Sequence, residues 1–263
     1  MRHPHGLLGW VDLTTNDVPA AKAFYEGLFG WESTDMPTPM GPAYTMCRKD
    51  GKLVAGIGPM PPDMAAGAAP PMWTSYALVE NVDEVLAKVV PAGGFIVMPA
   101  MDVMTEGRMA MIGDPSGAVV GLWEPHDHQG AELFNSHGAV TWNELQSRNR
   151  DAAMAFYAEV LGWSWVPMEN TGGPEYFVAE IAAKEGDDKS NGGAMSVPDS
   201  APAEMPSMWF VYFAVDDCDN SVDDALKLGG SLFFPAMEMG PGRFAGVTDP
   251  TGGMFMLGSF PSS

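Results

Sequence analysis

The chain has 263 residues, 46% hydrophobic and 18% charged, enough apolar material for one large or two ordinary cores and too much for a disordered protein. A formal charge of −21 repels phosphate backbones and excludes nucleic acid as an expected partner, with solubility as its plain reading. No apolar run approaches the ~20 residues of a membrane span, and LLGWVDL is too brief and too polar for a signal peptide, so the expected setting is cytoplasmic, away from membranes.

Along the chain, LLGWVDL reads as a strand, and Asp17 with Pro19 opens a helix. That helix, AAKAFYEGLFG, carries Phe24 and Leu28 on one face and stops at Gly30. Gly41-Pro42 and Gly51 mark turns, and the Pro/Gly/Ala run over 59–71 reads as a linker. WTSYALVE is the next strand. The helix after it places Val82, Val85, Leu86 and Val89 at half-buried spacing. FIVMP, RMAMIGD and AVVGLWE form hairpins, the last pair joined by the turn Asp114-Pro115-Ser116-Gly117. A polar connector from His126 to Ser136 leads into a second pass through the same order, with 196–206 as its internal linker.

The second pass is a repeat of the first. Gly6–Trp31 returns 132 residues later as Gly138–Trp163, with ten of 26 positions identical and no gap. Trp73, Tyr76 and Val79 recur as Trp209, Tyr212 and Val215, and Asp114-Pro115-Ser116-Gly117 as Asp249-Pro250-Thr251-Gly252. Each half holds the order strand–helix–three strands twice. The two cysteines, Cys47 and Cys218, have no metal or redox spacing and read as free thiols. The 21 methionines suit ordinary core packing or an adaptable pocket. His126, His128 and His137 read as solvated connector residues, with adventitious metal binding as the alternative. No P-loop, dinucleotide fingerprint or Ser-His-Asp arrangement is evident.

Four such units, with the helix signature A-x-x-F-Y-x-x-x-x-G-W and the terminal turn D-P-x-G, resemble the glyoxalase / bleomycin-resistance / extradiol dioxygenase superfamily, the vicinal oxygen chelate fold. Within it the chain looks like the tandem glyoxalase-like and hydroxylase-like subgroup. The resemblance implies an α+β fold of four βαβββ modules paired into two half-barrel, cup-shaped domains. These would span 1–128 and 137–263, with 129–136 as connector. It also implies a divalent metal in each cup, held from the first strand of each module and from the last strand. Counting fourteen residues back from Phe24 and Phe156 puts the first ligand position on Trp10 and Trp142. The second falls on Thr74 and Phe210, the third on Gly121 and Met256. None of these supplies the His, Gln or Glu donors such a site needs, so no metal and no other cofactor is expected. Glu124 lies three residues past Gly121, where alternation points it outward.

With Trp10 on the cup side, alternation puts Leu8 and Asp12 beside it, and Glu144 beside Trp142. Tyr76, Trp123 and Tyr212 likewise join Thr74, Gly121 and Phe210, while Tyr44 and Tyr176 correspond across the repeat. Arg108 and Arg243 would orient substrate or, alternatively, anchor a hairpin by salt bridges. The expected function is a metal-independent small-molecule enzyme, glyoxalase-like lyase or hydroxylase-like, with Asp12 and Glu144 as acid/base groups. Its substrate would be an aldehyde, a quinone or a polyketide-like aromatic. The alternative is a non-catalytic binder that sequesters an antibiotic-type molecule between aromatic walls. The smaller side chains at Thr74 and Gly121 favour the N-terminal cup as the working site. A monomer or weak homodimer suffices.

Overall fold

The computed structural model describes residues 3–38, 41–168, 174–184, 186, 188–198 and 201–261. The first half runs β1 (Leu7–Thr15), α1 (Val18–Phe29), β2 (Glu32–Thr38), β3 (Gly41–Lys49), β4 (Lys52–Pro59) and a short α2 (Pro62–Ala66). It continues through β5 (Met72–Leu78), α3 (Val82–Val89), β6 (Phe95–Val103), β7 (Gly107–Gly113) and β8 (Val119–Pro125). The second half runs β9 (Val140–Ser147), α4 (Arg150–Leu161), β10 (Ser164–Pro167), β11 (Tyr176–Glu180) and β12 (Ser190–Ser196). It ends with β13 (Met208–Ala214), α5 (Cys218–Lys227), β14 (Ser231–Met239), β15 (Gly242–Thr248) and β16 (Met254–Ser259).

This is an α+β fold of four βαβββ modules. Strands form two eight-stranded sheets in the orders β2-β3-β4-β1-β5-β8-β7-β6 and β10-β11-β12-β9-β13-β16-β15-β14. In every module the last strand returns parallel to the first, and the other described pairs are antiparallel. The 59–71 stretch is not all linker, since α2 forms within it, with no buried side chain. In the 196–206 stretch, residues 199–200 lie outside the described set.

Local chemistry sets the helix ends. The Asp17 side chain accepts from the Ala20 amide, Pro sits in the first turn, and Gly30 closes α1 in the left-handed region at φ 65°. Asn149 and Gly162 do the same for α4.

Sheet order follows the sequence halves, but the compact units draw on both. One unit comprises Met1–Trp10, Ser75–Gly130 and Trp142–Phe210; the other comprises Val11–Thr74, Ala131–Thr141 and Val211–Ser263. We call them unit one and unit two.

In unit two, Phe24, Tyr25 and Phe29 of α1 pack with Trp31, Trp73, Phe213 and Phe255. The indole of Trp73 donates to the Tyr25 hydroxyl at 2.9 Å, and that hydroxyl donates to Asp249 Oδ2 at 2.8 Å. Asp249 Oδ1 meanwhile gathers the amides of Thr251, Gly252 and Gly253, closing its own turn. Trp31 donates its ring N–H to the Gly138 carbonyl at 2.7 Å. The FY signature of one half therefore grips the D-P-x-G turn of the other.

Unit one repeats the scheme with the partners exchanged. Trp209 donates to Tyr157 at 2.9 Å, and Trp163 to the Gly6 carbonyl at 2.9 Å. Gly6 and Gly138 hold φ of 83° and 75°, and a Cβ on either would press on the opposing chain, on Leu161 and Trp163 or on Phe29. The Asp114 turn is the looser copy. Its Oδ1 accepts from Ser116 and Ala118, but buried Oδ2 closes no hydrogen bond, although the Tyr157 hydroxyl stands close enough to act on the carboxyl. Burial holds the Asp114 carboxyl above its ordinary value, and burial beside a carboxylate pushes both phenols, Tyr25 and Tyr157, well above theirs.

Tyr25→Phe removes a closed bond to a buried carboxylate, whereas Tyr157→Phe removes a looser approach. Tyr25→Phe should therefore cost about 1–2 kcal/mol more in urea unfolding, and equal losses would refute the asymmetry. A second expectation concerns pH. The folded state holds the Asp114 proton more tightly than the unfolded chain does, so acidification from neutrality toward the unfolded value near 3.8 adds stability through this group. Wild type should gain on Asp114→Asn over that window in paired denaturation curves; a flat difference contradicts it.

Candidate functional site

Each half carries a carboxylate and a tyrosine on the side of its sheet away from the helices. In unit two, Val11 and Leu13 of β1 join the helix-side core. Asp12 between them faces the opposite side, half-buried. The Tyr44 hydroxyl on β3 donates to Asp12 Oδ2 at 3.1 Å. Asp12 pairs in register with Gly56 on β4, and a Cβ there would overlap the Tyr44 hydroxyl, so the glycine makes the contact possible.

Unit one holds the second copy in fuller form. Glu144 is 7% exposed, accepts from Gln146 Nε2 at 2.9 Å and is bonded by the Tyr176 hydroxyl. Trp142 donates its indole N–H to that hydroxyl at 2.7 Å. Gly193, in register with Glu144, leaves the space the phenol fills. Burial, then the Glu144 charge, pushes the Tyr176 phenol far above its ordinary value.

Unit one also gathers an aromatic group. Trp10 meets His128 edge-to-face at a centroid distance of 4.4 Å, and His128 meets Trp123 at 5.5 Å. Trp123 donates to the His128 carbonyl at 2.9 Å. Tyr76 pairs in register with Gly121, and its ring lies where a Cβ on Gly121 would stand. Phe210 is fully buried in the same unit. In unit two, Thr74 is buried, and Tyr212 sits opposite Met256 with its ring edge-on to Phe244.

Two expectations, for Leu8 and His128, need correction, and the two readings offered for the arginines are decided in favour of the salt bridges. Arg108 bonds Asp102 at 2.8 Å and Asp83 of α3 at 3.2 Å, on the helix side of β7, and Arg243 grips Asp219 of α5 through two bonds of 2.8 Å. Both are outer struts rather than substrate groups, because Ala110 and Ala245, two residues on, pack with the helices. Leu8 does not share Trp10's face. It packs in the core of unit one, its amide bonded to Asn191, as the start of β1 runs against the second half. His128 is no solvated connector residue but a buried one. Composition hid it, since the polar stretch around it gives no sign of the two indoles that enclose it. The connector beyond is packed as well, with Leu133 against the core of unit two and the Glu132 carboxylate on the Leu53 amide. Glu124 does point outward, accepting from the Val82 amide at the start of α3.

The chain belongs to the glyoxalase/bleomycin resistance protein/dioxygenase superfamily, whose profile matches residues 7–122 and 139–257. It is 45% identical over 254 residues to the Mycobacterium tuberculosis protein named "Putative glyoxylase CFP32", covering 96% of this chain and 94% of that one. It is 33% identical over 268 residues to the anthracycline biosynthesis protein DnrV of Streptomyces peucetius, covering 97% and 94%. In fold it is similar to the Mn(II)-bound glyoxalase from Novosphingobium aromaticivorans, with a TM-score of 0.62 at 15% identity over 97% of this chain and 82% of that one.

The superfamily resemblance raises a divalent metal, and the residues at the three counted positions of each half do not fit one. An indole, a threonine hydroxyl and a bare glycine stand at Trp10, Thr74 and Gly121; an indole, a phenyl and a thioether stand at Trp142, Phe210 and Met256. The two indoles are engaged with His128 and Tyr176. Among the described residues, no three His, Cys, Asp or Glu side chains converge to hold an ion. Among them too, no helix is long and apolar enough to cross a membrane.

Gly193→Ala should expel the Tyr176 phenol and free it to ionise. Alkaline absorbance titration should show one additional phenol in the ordinary range near ~10, with stability lower by about 1–3 kcal/mol. An unchanged phenolate count would mean that the glycine does not hold this chain of bonds in place.

Proposed function

We propose that this protein is a small-molecule enzyme of its superfamily that moves a proton with a side-chain carboxylate instead of polarising its substrate with a metal. Asp12 is the acid/base group, and the reaction is of the glyoxalase-like lyase kind. The carboxylate removes the carbinol proton next to a carbonyl, as in the hydrate that an α-oxo aldehyde forms with water, leaving an enediolate, and the resulting acid returns the proton to the former carbonyl carbon to give a 2-hydroxy acid. The observation that carries this reading is the half-buried Asp12 carboxylate bonded to the Tyr44 hydroxyl at 3.1 Å. A hydroxyl bonded to one oxygen fixes the carboxylate's direction.

Glu144 supports the same reading by contrast. It is almost fully buried, bonded by Tyr176 and Gln146, with Tyr176 itself held by Trp142. Such a group orders its surroundings, and we assign it a structural role, leaving the first half as the working one. The substrate class is a carbonyl compound with a removable hydrogen on the adjacent carbon, a hydrated α-oxo aldehyde or a polyketide-like aromatic carrying such a group; a quinone lacks that hydrogen. The names of the mycobacterial and Streptomyces relatives are consistent with this range.

The test is turnover of such a panel by protein dialysed against EDTA. We expect activity to survive chelation, to fall about 10²–10⁴-fold in Asp12→Asn and about tenfold or more in Tyr44→Phe, and to persist in Glu144→Gln if that variant folds. Loss on chelation with recovery on adding Mn(II) would overturn the metal-free reading. Tight binding with the compound returned unchanged would establish sequestration instead of catalysis.

A further inference from the structure

The strand that bears Asp12 bears a second polar group on the same side. Val11 and Leu13 pack in the helix-side core, and Thr15 is buried with its hydroxyl accepting from the Asp17 amide. Thr14 therefore stands with Asp12 on the opposite side, half-buried. It is in register with Gly58 on β4, as Asp12 is with Gly56. The Tyr44 ring lies along these two glycines. Its edge would meet a Cβ on Gly58 at 3.3 Å, and its hydroxyl end overlies Gly56, where it donates to Asp12. Asp12, Thr14 and Tyr44 form one polar cluster within unit two.

We propose that the Thr14 hydroxyl binds the carbonyl oxygen of the substrate while Asp12 takes the proton from the neighbouring carbon. This rests on the reading of Asp12 as the acid/base group and supplies the partner that such a group needs.

Three observations carry it. The first is a demand of the chemistry. Removing a proton beside a carbonyl puts negative charge on that oxygen, and a hydrogen-bond donor aimed at it lowers the barrier. Tyr44 gives its proton to Asp12 Oδ2, so the donor comes from elsewhere.

The second is availability. Among the described residues, no hydrogen bond engages the Thr14 side chain, and its hydroxyl is not sealed from solvent.

The third comes from the duplicate. Gln146 holds the place of Thr14, two residues past Glu144, and its side-chain amide bonds Glu144 at 2.9 Å. A side chain at this position thus faces the carboxylate, and in the second half its donor is spent there. Threonine carries its hydroxyl on Cβ and is too short to reach back in the same way, since Cα atoms two residues apart on a strand are separated by about 6.8 Å. The hydroxyl is left for a ligand in the half whose carboxylate is half-buried, not enclosed.

The test is kinetics on the full chain with two probes. Methylglyoxal is followed as lactate formed, and 2-hydroxyacetophenone by NMR as exchange of its carbinol hydrogens into D2O. Thr14→Val keeps the shape of the side chain and removes the donor. We expect kcat/KM to fall about 10²-fold in Thr14→Val and to stay within about threefold of wild type in Thr14→Ser. The acid limb of the pH–rate profile should keep its midpoint in Thr14→Val, because Asp12 is untouched. Wild-type rates in Thr14→Val where Asp12→Asn is inactive overturn the Thr14 assignment and leave the base standing. A fall in Thr14→Val where Asp12→Asn stays active upholds Thr14 and refutes the base. A loss that Thr14→Ser does not restore, or one that comes with a displaced acid limb, means that Thr14 only supports the strand and also overturns the proposal. If wild type turns over neither probe, saturation-transfer NMR with 2-hydroxyacetophenone decides. A signal lost in Thr14→Val upholds the assignment; an equal signal, or none with wild type, overturns it.

Discussion

Everything in this fold hangs on a buried tyrosine that donates to the aspartate of a D-P-x-G turn while accepting an indole N–H. In unit two the chain Trp73–Tyr25–Asp249 joins a strand and a helix of the first half to a turn of the second. A buried carboxylate is tolerable only when its oxygens are bonded, and Asp249 is fully bonded, by backbone amides on one oxygen and the phenol on the other. That requirement fixes where α1 sits. The helix in turn fixes β1, since Val11 and Leu13 pack in the same core as Phe24 and Tyr25. The side of β1 that bears Asp12 is then committed, because a strand cannot turn one residue without turning all of them.

The duplication explains why such contacts come in twos, and the differences show where the copies have separated. Trp31 reaches the carbonyl of Gly138, and Trp163 that of Gly6, so the two residues that bound the repeated segment bond reciprocally. The Asp114 turn lacks the closed bond that completes Asp249. The carboxylate–tyrosine pairs differ in the same graded way. Glu144, one methylene longer than Asp12, lies deeper and takes a further bond from Gln146, where the first half has Thr14 at the matching place. Duplication preserved the geometry of both pairs, while side-chain length set how far each is withdrawn from solvent.

Much of this was legible in the sequence, for reasons that can be stated. The four modules follow from strand and helix periodicities, and the repeat doubles every weak signal: the start read at Asp17 and the stop at Gly30 have structural counterparts at Asn149 and Gly162. Correspondence across the repeat also singled out Tyr44 and Tyr176, the residues that bond Asp12 and Glu144. For the arginines the sequence left a hairpin salt bridge and a substrate role open, because a cation near a cleft suits either. Their strand parity, set by Ala110 and Ala245, puts them beside the helix carboxylates instead. Leu8 failed because alternation counted back from Trp10 does not hold where the strand start is pulled toward Asn191. His128 could not be found by composition. Its burial depends on Trp10, more than a hundred residues earlier, and no local pattern encodes that.

The indoles at Trp10 and Trp142 change what kind of chemistry these positions can support. A metal ligand must present a lone pair toward an ion, whereas an indole offers only a donor and a ring face. Two residues beyond each indole, on the same strand, stands a carboxylate, and a phenol from another strand, Tyr44 of β3 or Tyr176 of β11, bonds it.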